Sequence, residues 1–237
     1  VEGGKLALED DIRYLLPELR VKNPFGGAIT VRHMLSHTSG FPDVIDYEWC
    51  SAESDDDALE KYVRDLDVRL LFKPGERVRY SNMAYEVLGH LVHRLSGQLF
   101  EDYQKEHVLN PPGMAASTFY ARQVQDEFRN TPHTCDLDLH VSDVYPYNRK
   151  HAPSSTLHSS AHEMNRWALA HLAYVSGGRS PILSPELHEL MWTPVMSAAR
   201  ADKPDKCAGL GWFIDQHRGQ RIIYHGGHDT GFMSCLI

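Results

Sequence analysis

Apolar residues recur at the 3.6-residue spacing of amphipathic helices in several parts of the chain. The clearest example follows Ser81 and Asn82, either of which can cap a helix, and ends at Gly97. Its apolar stripe consists of Val87, Leu88, Leu91, Val92 and Leu95. This pattern predicts a helix that packs into the core of the protein.

Further helices are predicted from the same spacing and from residues that start and stop helices. Residues 1–4 resemble the tail of a helix that a glycine ends. The other helices are expected before Pro17, between Thr30 and Gly40, after the aspartates at 55–57, after Ser160 and from Pro185. Ser160 and Glu163 have the spacing of a capping box, and a proline suits the first position of a helix.

Short β-rich segments alternate with glycine-containing turns at the C-terminal end of the chain. The segments "GLGWFID", "QRIIYHGG" and "GFMSCLI" predict an antiparallel meander. The segment "ERVRY", residues 76–80, predicts a brief strand before the Ser81 helix, whereas residues 120–153 are polar, rich in histidine and expected to be irregular. Separate helices and an antiparallel sheet predict an α+β fold, with residues 1–237 in a single domain.

Composition narrows the possible functions. The 32 acidic residues outnumber the 24 Lys and Arg, and the formal net charge of −8 argues against nucleic acid as a partner. No apolar run approaches the ~20 residues that a membrane-spanning helix needs. The four cysteines are far apart and form no Cys-x-x-Cys motif, so disulfides remain an open question.

Tyr80-Ser81-Asn82 is the first candidate for chemistry. A tyrosine near a helix N-terminus meets a partial positive charge that favours the phenolate. Neighbouring cations would lower its pKa further, which makes Tyr80 a candidate proton shuttle. Asn82 can both donate to and accept from a substrate amide. The alternative is that Asn82 caps the helix and Tyr80 packs in the core.

His225-Gly226-Gly227 is the second candidate, and we expect it to close one strand and turn into the next. Two glycines would let a ligand approach the backbone, where a free N–H could form half of an oxyanion hole. His225 could serve beside it as a cation or a hydrogen-bond donor. The alternative is a glycine hairpin that carries a surface histidine.

Among the 15 histidines, His33 with His37 and His158 with His162 have the i,i+4 spacing that could place two metal ligands on one helix face. No His-Glu-x-x-His motif accompanies them, and no motif supplies a third ligand. We therefore expect no catalytic metal. The chain also lacks Gly-x-Ser-x-Gly, which argues against an α/β-hydrolase.

The order of these motifs resembles that of the serine β-lactamase-like family, which comprises class C β-lactamases, D-alanyl-D-alanine carboxypeptidases and related esterases. The similar segments are "ITVRHMLSHTSGF", residues 72–114, "APSSTLHSSAHEMNRWALAHL", "GLGWF" and His225-Gly226-Gly227. The resemblance covers nearly the whole chain. It implies the β-lactamase/transpeptidase-like fold, in which helices flank an antiparallel sheet and form a further, mostly helical subdomain.

The family's nucleophile is a serine in Ser-x-x-Lys, whose lysine helps to remove the serine proton. No serine precedes a lysine by three residues in this chain. We expect the motif to lie upstream of Val1, which would make the chain a partial domain that is inactive and poorly stable alone. The strand-like end at Ile237 suggests an incomplete C-terminus too. The alternative is a noncatalytic relative that serves as a binding or scaffold protein.

The resemblance also implies roles for individual residues. Tyr80 would be the general base or proton relay, and Asn82 would hold the amide of the acyl group. The backbone N–H of His228 would complete the oxyanion hole, whereas "HTSG", residues 37–40, is interpreted as structural. The implied substrate is a small-molecule or peptide ester or amide, cleaved through an acyl-enzyme without a metal or organic cofactor.

One departure from the family bears on the substrate. Many members have Lys-Thr-Gly where this chain has His225-Gly226-Gly227. His225 is mostly neutral at pH 7, and Gly226 offers no hydroxyl, so recognition of a substrate carboxylate should be weaker. This favours an esterase, or a peptidase of unusual specificity, over an efficient β-lactamase.

Overall fold

Seven α-helices and nine β-strands are present in the computed structural model, which describes residues 1–50, 55–135, 137–199, 203 and 205–237. The helices are α1 (Ile12–Leu15), α2 (Val31–Leu35), α3 (Ala58–Asp65), α4 (Asn82–Ser96), α5 (Phe100–Gln104), α6 (Ala161–Val175) and α7 (Pro185–Met191). The strands are β1 (Arg20–Lys22), β2 (Asp67–Arg69), β3 (His133–Cys135), β4 (Leu139–Val141), β5 (Met196–Ser197), β6 (Cys207–Ala208), β7 (Phe213–His217), β8 (Gln220–Asp229) and β9 (Phe232–Leu236).

Helix α4 forms the centre of the helical part. Ser81 is its N-cap, because the Ser81 Oγ accepts a hydrogen bond from the Ala84 N–H at 3.1 Å. The helix ends at Gly97, whose φ of 75° lies in the left-handed region. The predicted stripe faces the core, where Val87 and Leu91 are buried among residues of α1, α2 and α3. The prediction of this helix and of both its ends is confirmed.

Two short segments differ from the sequence prediction. Residues 1–4 form a turn instead of the end of a helix, with the Gly4 N–H donating to Val1 O at 2.9 Å. Residues 76–80 form no strand, although their composition favours one. Their backbone instead bonds to the loop after α2, where the Arg79 N–H donates to His37 O at 2.8 Å.

Helix α2 begins after the predicted cap Thr30 but ends at Leu35, before the predicted stop at Gly40. The N–H groups of His37 and Thr38 donate back to carbonyl oxygens of the last turn, which is the Schellman pattern. These two bonds satisfy the end of the helix, so the chain leaves it without needing the later glycine.

Strands β5 to β9 form an antiparallel sheet in the order β5-β6-β7-β8-β9, which confirms the predicted meander. Residues 220–224 of β8 pair with β7, and residues 225–229 pair with β9. The two halves of β8 therefore have different neighbours. Two further sheets in the described part of the chain have two strands each: β1 and β2 are parallel, and β3 and β4 are antiparallel.

The end of α2 joins the sheet to the start of α4. Leu35 O accepts hydrogen bonds from the Gly211 N–H at 2.9 Å and from the Tyr85 Oη at 2.8 Å. This junction brings the N-terminus of α4 next to β7 and β8. The molecule is an α+β protein, as predicted, and in the described part of the chain no helix could cross a membrane.

Candidate functional site

Both candidate motifs border one open cleft with a volume of about 170 Å³. Tyr80 and Asn82 line one side of it and His225 lines another. The other lining residues are Tyr85, Pro153, Ser154 and Gly211. Gly226, Gly227 and His228 continue β8 from the cleft and are exposed. The fold thus brings together two motifs that are 145 residues apart, while their role in catalysis stays a prediction.

Tyr80 lies immediately before the N-cap of α4 and reaches the sheet. Its Oη is 3.5 Å from the Nε2 of His225. Its ring stacks on the imidazole of His37, with 4.1 Å between the ring centroids and 28° between the planes. Tyr80 is 37% exposed, so one side of the phenol remains open to the cleft.

The protonation state of Tyr80 differs from the sequence prediction. Burial raises the pKa of Tyr80 to about 12, and the negative charges of Asp43 and Asp229 act in the same direction. The prediction that neighbouring cations lower this pKa is therefore wrong for the described residues. At pH 7 Tyr80 is a neutral phenol, which can donate a proton.

His225 is an uncharged partner for Tyr80. Burial lowers the pKa of His225, and the positive charge of Lys206 lowers it further. The Lys206 Nζ lies 3.6 Å from the centre of the Phe213 ring, which in turn stacks on His225. Of the two roles that the sequence left open for His225, hydrogen bonding is therefore the one its surroundings favour.

Asn82 is the first residue of α4 and is held from two sides. Its side-chain Nδ2 donates to the Tyr47 Oη at 2.6 Å, and its backbone N–H donates to the Asp43 Oδ1 at 2.6 Å. Within the described chain its Oδ1 has no hydrogen-bond partner, so this oxygen can accept from a ligand. Sequence reasoning missed Asp43 and Tyr47, because they lie in a loop without periodicity or motif.

The two glycines of the second motif are not at a turn, contrary to the sequence prediction. Strand β8 continues through them to Asp229, and the turn lies at Thr230 and Gly231. The physical reason is that the turn needs a positive φ, which Gly231 supplies at 74°.

The half of β8 that contains the glycines has a free edge. Residues 225–229 pair with β9 on one side, and β7 reaches only to Tyr224 on the other. A Cβ on Gly227 would lie 2.8 Å from the Ser234 Oγ, and the exposed Ser234 side chain would have to rotate to make room for it. The described strands thus leave the backbone of this half open next to Tyr80.

Ser154 connects the cleft to a buried acid that sequence reasoning missed. Its Oγ donates to the Glu86 Oε1 at 2.6 Å, and the same oxygen lies 3.0 Å from the His151 Nδ1. Glu86 and His151 are fully buried. Burial raises the pKa of Glu86 well above its ordinary value and lowers the pKa of His151 to about 4, so His151 is uncharged at pH 7. The only indication of this buried acid in the sequence was an acidic residue beside the apolar stripe of α4.

Neither predicted histidine pair shares a helix face, and His158 lies before the start of α6, which contains His162. His37 lies beyond the end of α2, so it does not share a helix face with His33, whose Nδ1 accepts from the Thr30 N–H. No group of three or more His, Cys, Asp or Glu side chains in the described residues is arranged to hold a metal ion.

Comparison with known proteins gives matches along the whole chain. The family model described as Beta-lactamase matches residues 1–237. Penicillin-binding protein 4* of Bacillus subtilis (strain 168) is 31% identical over 130 residues, which cover 53% of this chain and 28% of that protein. Protein flp of Staphylococcus aureus (strain MW2) is 24% identical over 244 positions, which cover 100% of this chain and 46% of that protein. The chain thus spans less than half the length of either relative.

Solved structures share the fold. The octameric penicillin-binding protein homologue from Pyrococcus abyssi matches 99% of this chain and 54% of its own, with a TM-score of 0.80 at 24% identity. A D-stereospecific amidohydrolase from Streptomyces sp. matches 97% of this chain and 70% of its own, with a TM-score of 0.76 at 19% identity. These matches show the β-lactamase/transpeptidase-like fold that the sequence motifs predicted.

Proposed function

Because this chain belongs to the β-lactamase family, we propose that it forms the greater part of the active site of a serine hydrolase. The enzyme would cleave ester or amide bonds through an acyl-enzyme. The observation that best supports this is the approach of the Tyr80 Oη to within 3.5 Å of the His225 Nε2, at a cleft that Asn82 also lines. Since the chain has no Ser-x-x-Lys, the attacking serine and its lysine belong, in this proposal, to another segment of the intact protein.

In the proposed reaction, the serine oxygen attacks the substrate carbonyl carbon while the lysine takes the serine proton. The carbonyl oxygen becomes an oxyanion, held by the serine N–H and by the His228 N–H at the open half of β8. Tyr80 gives its proton to the leaving oxygen or nitrogen and regains one from the lysine. Water then attacks the acyl carbon and the bond between this carbon and the serine oxygen breaks, which releases the acid. One proton of the water passes through the lysine to the serine oxygen and regenerates the enzyme.

Asn82 would orient the acyl group. Because its Nδ2 is bound to the Tyr47 Oη, the side-chain amide is held in one orientation and its Oδ1 is the atom left for the substrate. An oxygen acceptor at that point favours acyl groups that carry an N–H donor.

His225 bears on the choice of substrate. An uncharged imidazole attracts a substrate carboxylate less than a permanent lysine cation does. We therefore propose that the enzyme prefers neutral esters, or amides without an adjacent carboxylate, to β-lactams.

The first test compares Tyr80→Phe with Tyr14→Phe in the intact protein, using a neutral aryl ester. Tyr14 is 86% exposed and serves as the matched control. Removing the Tyr80 hydroxyl should lower kcat by about 100-fold or more, because proton transfer typically contributes that much. The control should keep its activity. Equal activities of the two variants would contradict the role of Tyr80.

A second test uses a fluorophosphonate probe followed by peptide mapping. The intact protein should carry one adduct, on a serine followed three residues later by lysine, and residues 1–237 alone should carry none. An adduct on a serine of this chain would refute the proposed location of the nucleophile. The preference for substrates is checked by kcat/KM for the aryl ester and for a cephalosporin, and a strong preference for the cephalosporin would refute it.

A further inference from the structure

His37 contacts three successive residues of the Tyr80 segment. Its backbone oxygen accepts from the Arg79 N–H at 2.8 Å. Its ring stacks under Tyr80 at 4.1 Å, and its Nδ1 accepts from the Ser81 N–H at 3.2 Å. The residue is only 3% exposed, so these contacts are shielded from water. One side chain and its carbonyl thus fix the backbone on both sides of Tyr80.

The backbone at His37 is unfavourable for a histidine. In the Schellman motif that ends α2, the His37 N–H donates to Met34 O at 3.3 Å and the Thr38 N–H donates to His33 O at 2.9 Å. His37 therefore occupies the position that usually holds glycine, and its φ is 57°. Glycine would adopt this conformation without strain, so the end of the helix does not explain the presence of a histidine.

The hydrogen bond to Ser81 also determines the tautomer of His37. Because Nδ1 accepts a hydrogen bond from the Ser81 N–H, the neutral ring carries its own hydrogen on Nε2. A protonated ring would point a second N–H at the Ser81 N–H and break this contact. Burial lowers the pKa of His37 to about 3, and the positive charge of Lys206 acts in the same direction, so the neutral form persists at pH 7.

From these contacts we propose that His37 is the positioning residue of the site. Its ring, its Nδ1 and its carbonyl hold residues 79–81 in the conformation that presents the Tyr80 Oη to His225 and the cleft. This assigns a specific task to the "HTSG" stretch, which the sequence alone suggested was only structural. The kinetic part of the inference rests on the proposed function, and the placement of Tyr80 does not.

The informative substitution is His37→Gly in the intact protein, because glycine suits the backbone while the ring and the Nδ1 acceptor are lost. We expect kcat for the aryl ester to fall about 10- to 100-fold with little change in KM, as misplacing a reacting group by about 1 Å can do. The pKa of Tyr80 should fall from about 12 towards its ordinary value of about 10, because the covering ring is gone. The second readout is 19F NMR of 3-fluorotyrosine-labelled protein, with wild type and variant compared and the signal assigned by Tyr80→Phe.

Two further variants separate positioning from stability. His37→Asn tolerates the left-handed backbone and keeps an oxygen acceptor for the Ser81 N–H, so it should recover part of the lost kcat. His188→Asn removes a histidine of the α6–α7 contact that is fully buried, so it should lower Tm without altering kcat or the Tyr80 signal.

The inference is overturned if His37→Gly leaves both kcat and the Tyr80 pKa unchanged. It is also overturned if His188→Asn changes them as much as His37→Gly does. If the wild-type protein hydrolyses neither ester nor amide, the proposed function fails, and the Tyr80 titration alone then decides whether His37 positions this residue.

Discussion

Three titratable rings meet at the Tyr80 end of the cleft, namely those of Tyr80, His37 and His225. Burial is the largest cause of the pKa shift of each, and it favours the uncharged form every time. The rings of the described part of the site therefore present neutral hydrogen-bonding groups to a substrate. In the proposed reaction, the base that takes the serine proton is the lysine of Ser-x-x-Lys.

A prediction at the residue scale concerns the cap that orients Tyr80 and Asn82. The Ser81 Oγ accepts from the Ala84 N–H at 3.1 Å and donates to Pro42 O at 2.7 Å. Ser81→Ala loses both bonds inside a buried site and should lower the free energy of unfolding by about 1–2 kcal/mol. Urea denaturation measures this loss.

Ser176→Ala is the matched control for the cap. Ser176 follows α6, and its exposed Oγ bonds only to Leu172 O at 3.0 Å among the contacts described. Its loss should change the free energy of unfolding by no more than about 0.5 kcal/mol. Equal losses in the two variants would mean that the Ser81 cap stabilises the protein no more than the exposed Ser176 hydroxyl does.

At the residue scale, the sequence predicted Tyr80, Ser81 and Asn82, because a cap before an apolar stripe is a local signal. It could not predict Asp43 and Tyr47, whose contacts with Asn82 span 39 and 35 residues. Such contacts depend on how a loop folds back on a helix, and no local sequence pattern predicts this folding.

At the scale of elements, the approach of α4 to the segment at Pro153 shapes the wall of the cleft. A Cβ on Gly89 would lie 2.1 Å from the Pro153 Cγ and 2.6 Å from its Cβ. Both Pro153 and its neighbour Ser154 line the cleft. The glycine is therefore needed for close packing, and its backbone φ is not in the left-handed region.

We expect Gly89→Ala to destabilise the protein, although alanine alone would stabilise a helix interior by about 1 kcal/mol relative to glycine. The clash should displace Pro153 and Ser154 and lower kcat/KM for the aryl ester. The double variant Gly89→Ala/Pro153→Gly removes the atoms that clash and should regain stability relative to Gly89→Ala. If the Gly89→Ala protein were as stable as wild type in urea, the segment at Pro153 would be able to move away from α4, and the prediction would be wrong.

The sequence predicted the elements better than their ends. Short β-rich segments between glycine-containing turns indicated β7, β8 and β9, but the Gly226-Gly227 pair suggested a turn where the strand continues. A glycine in a turn and a glycine facing a close neighbour look alike in a sequence. Only the packing distinguishes them, here through Ser234 opposite Gly227.

At the scale of the whole molecule, buried histidines should make stability depend on pH. Burial lowers the pKa of His37 to about 3 and the pKa values of His151 and His171 to about 4. In the unfolded chain a histidine has a pKa of about 6.5. The unfolded state therefore binds more protons below that pH, and the free energy of unfolding should fall as the pH drops from about 6.5 to 4.

Glu86 opposes this trend, since its raised pKa stabilises the folded state at low pH and loses that effect as the pH rises. Asp229, whose pKa burial also raises, acts in the same direction as Glu86. Histidines with lowered pKa values outnumber these two carboxyls among the described residues, so we expect Tm to decrease steadily between pH 7 and pH 4.5. His171→Asn should show a weaker dependence than wild type. A Tm that is constant or rises on acidification would contradict the assignment of neutral buried histidines.

The fold as a whole was predictable because the order of several motifs along the chain is specific even where each motif is weak. The junction at Leu35 was not predictable, since it connects α2 to residues 50 and 176 positions further along the chain. That junction brings β7 and β8 next to Tyr80, so the site could be identified only from the three-dimensional structure.

The half of β8 that has a free edge, residues 225–229, also affects the tendency of the protein to aggregate. An edge with unpaired N–H and C=O groups can recruit a strand from another molecule, and β-branched residues would strengthen such pairing. Residues 226 and 227 are glycines, which have low β propensity and present no side chains to an incoming strand. The two residues that leave the backbone open to a ligand therefore also make it a poor template for fibril growth.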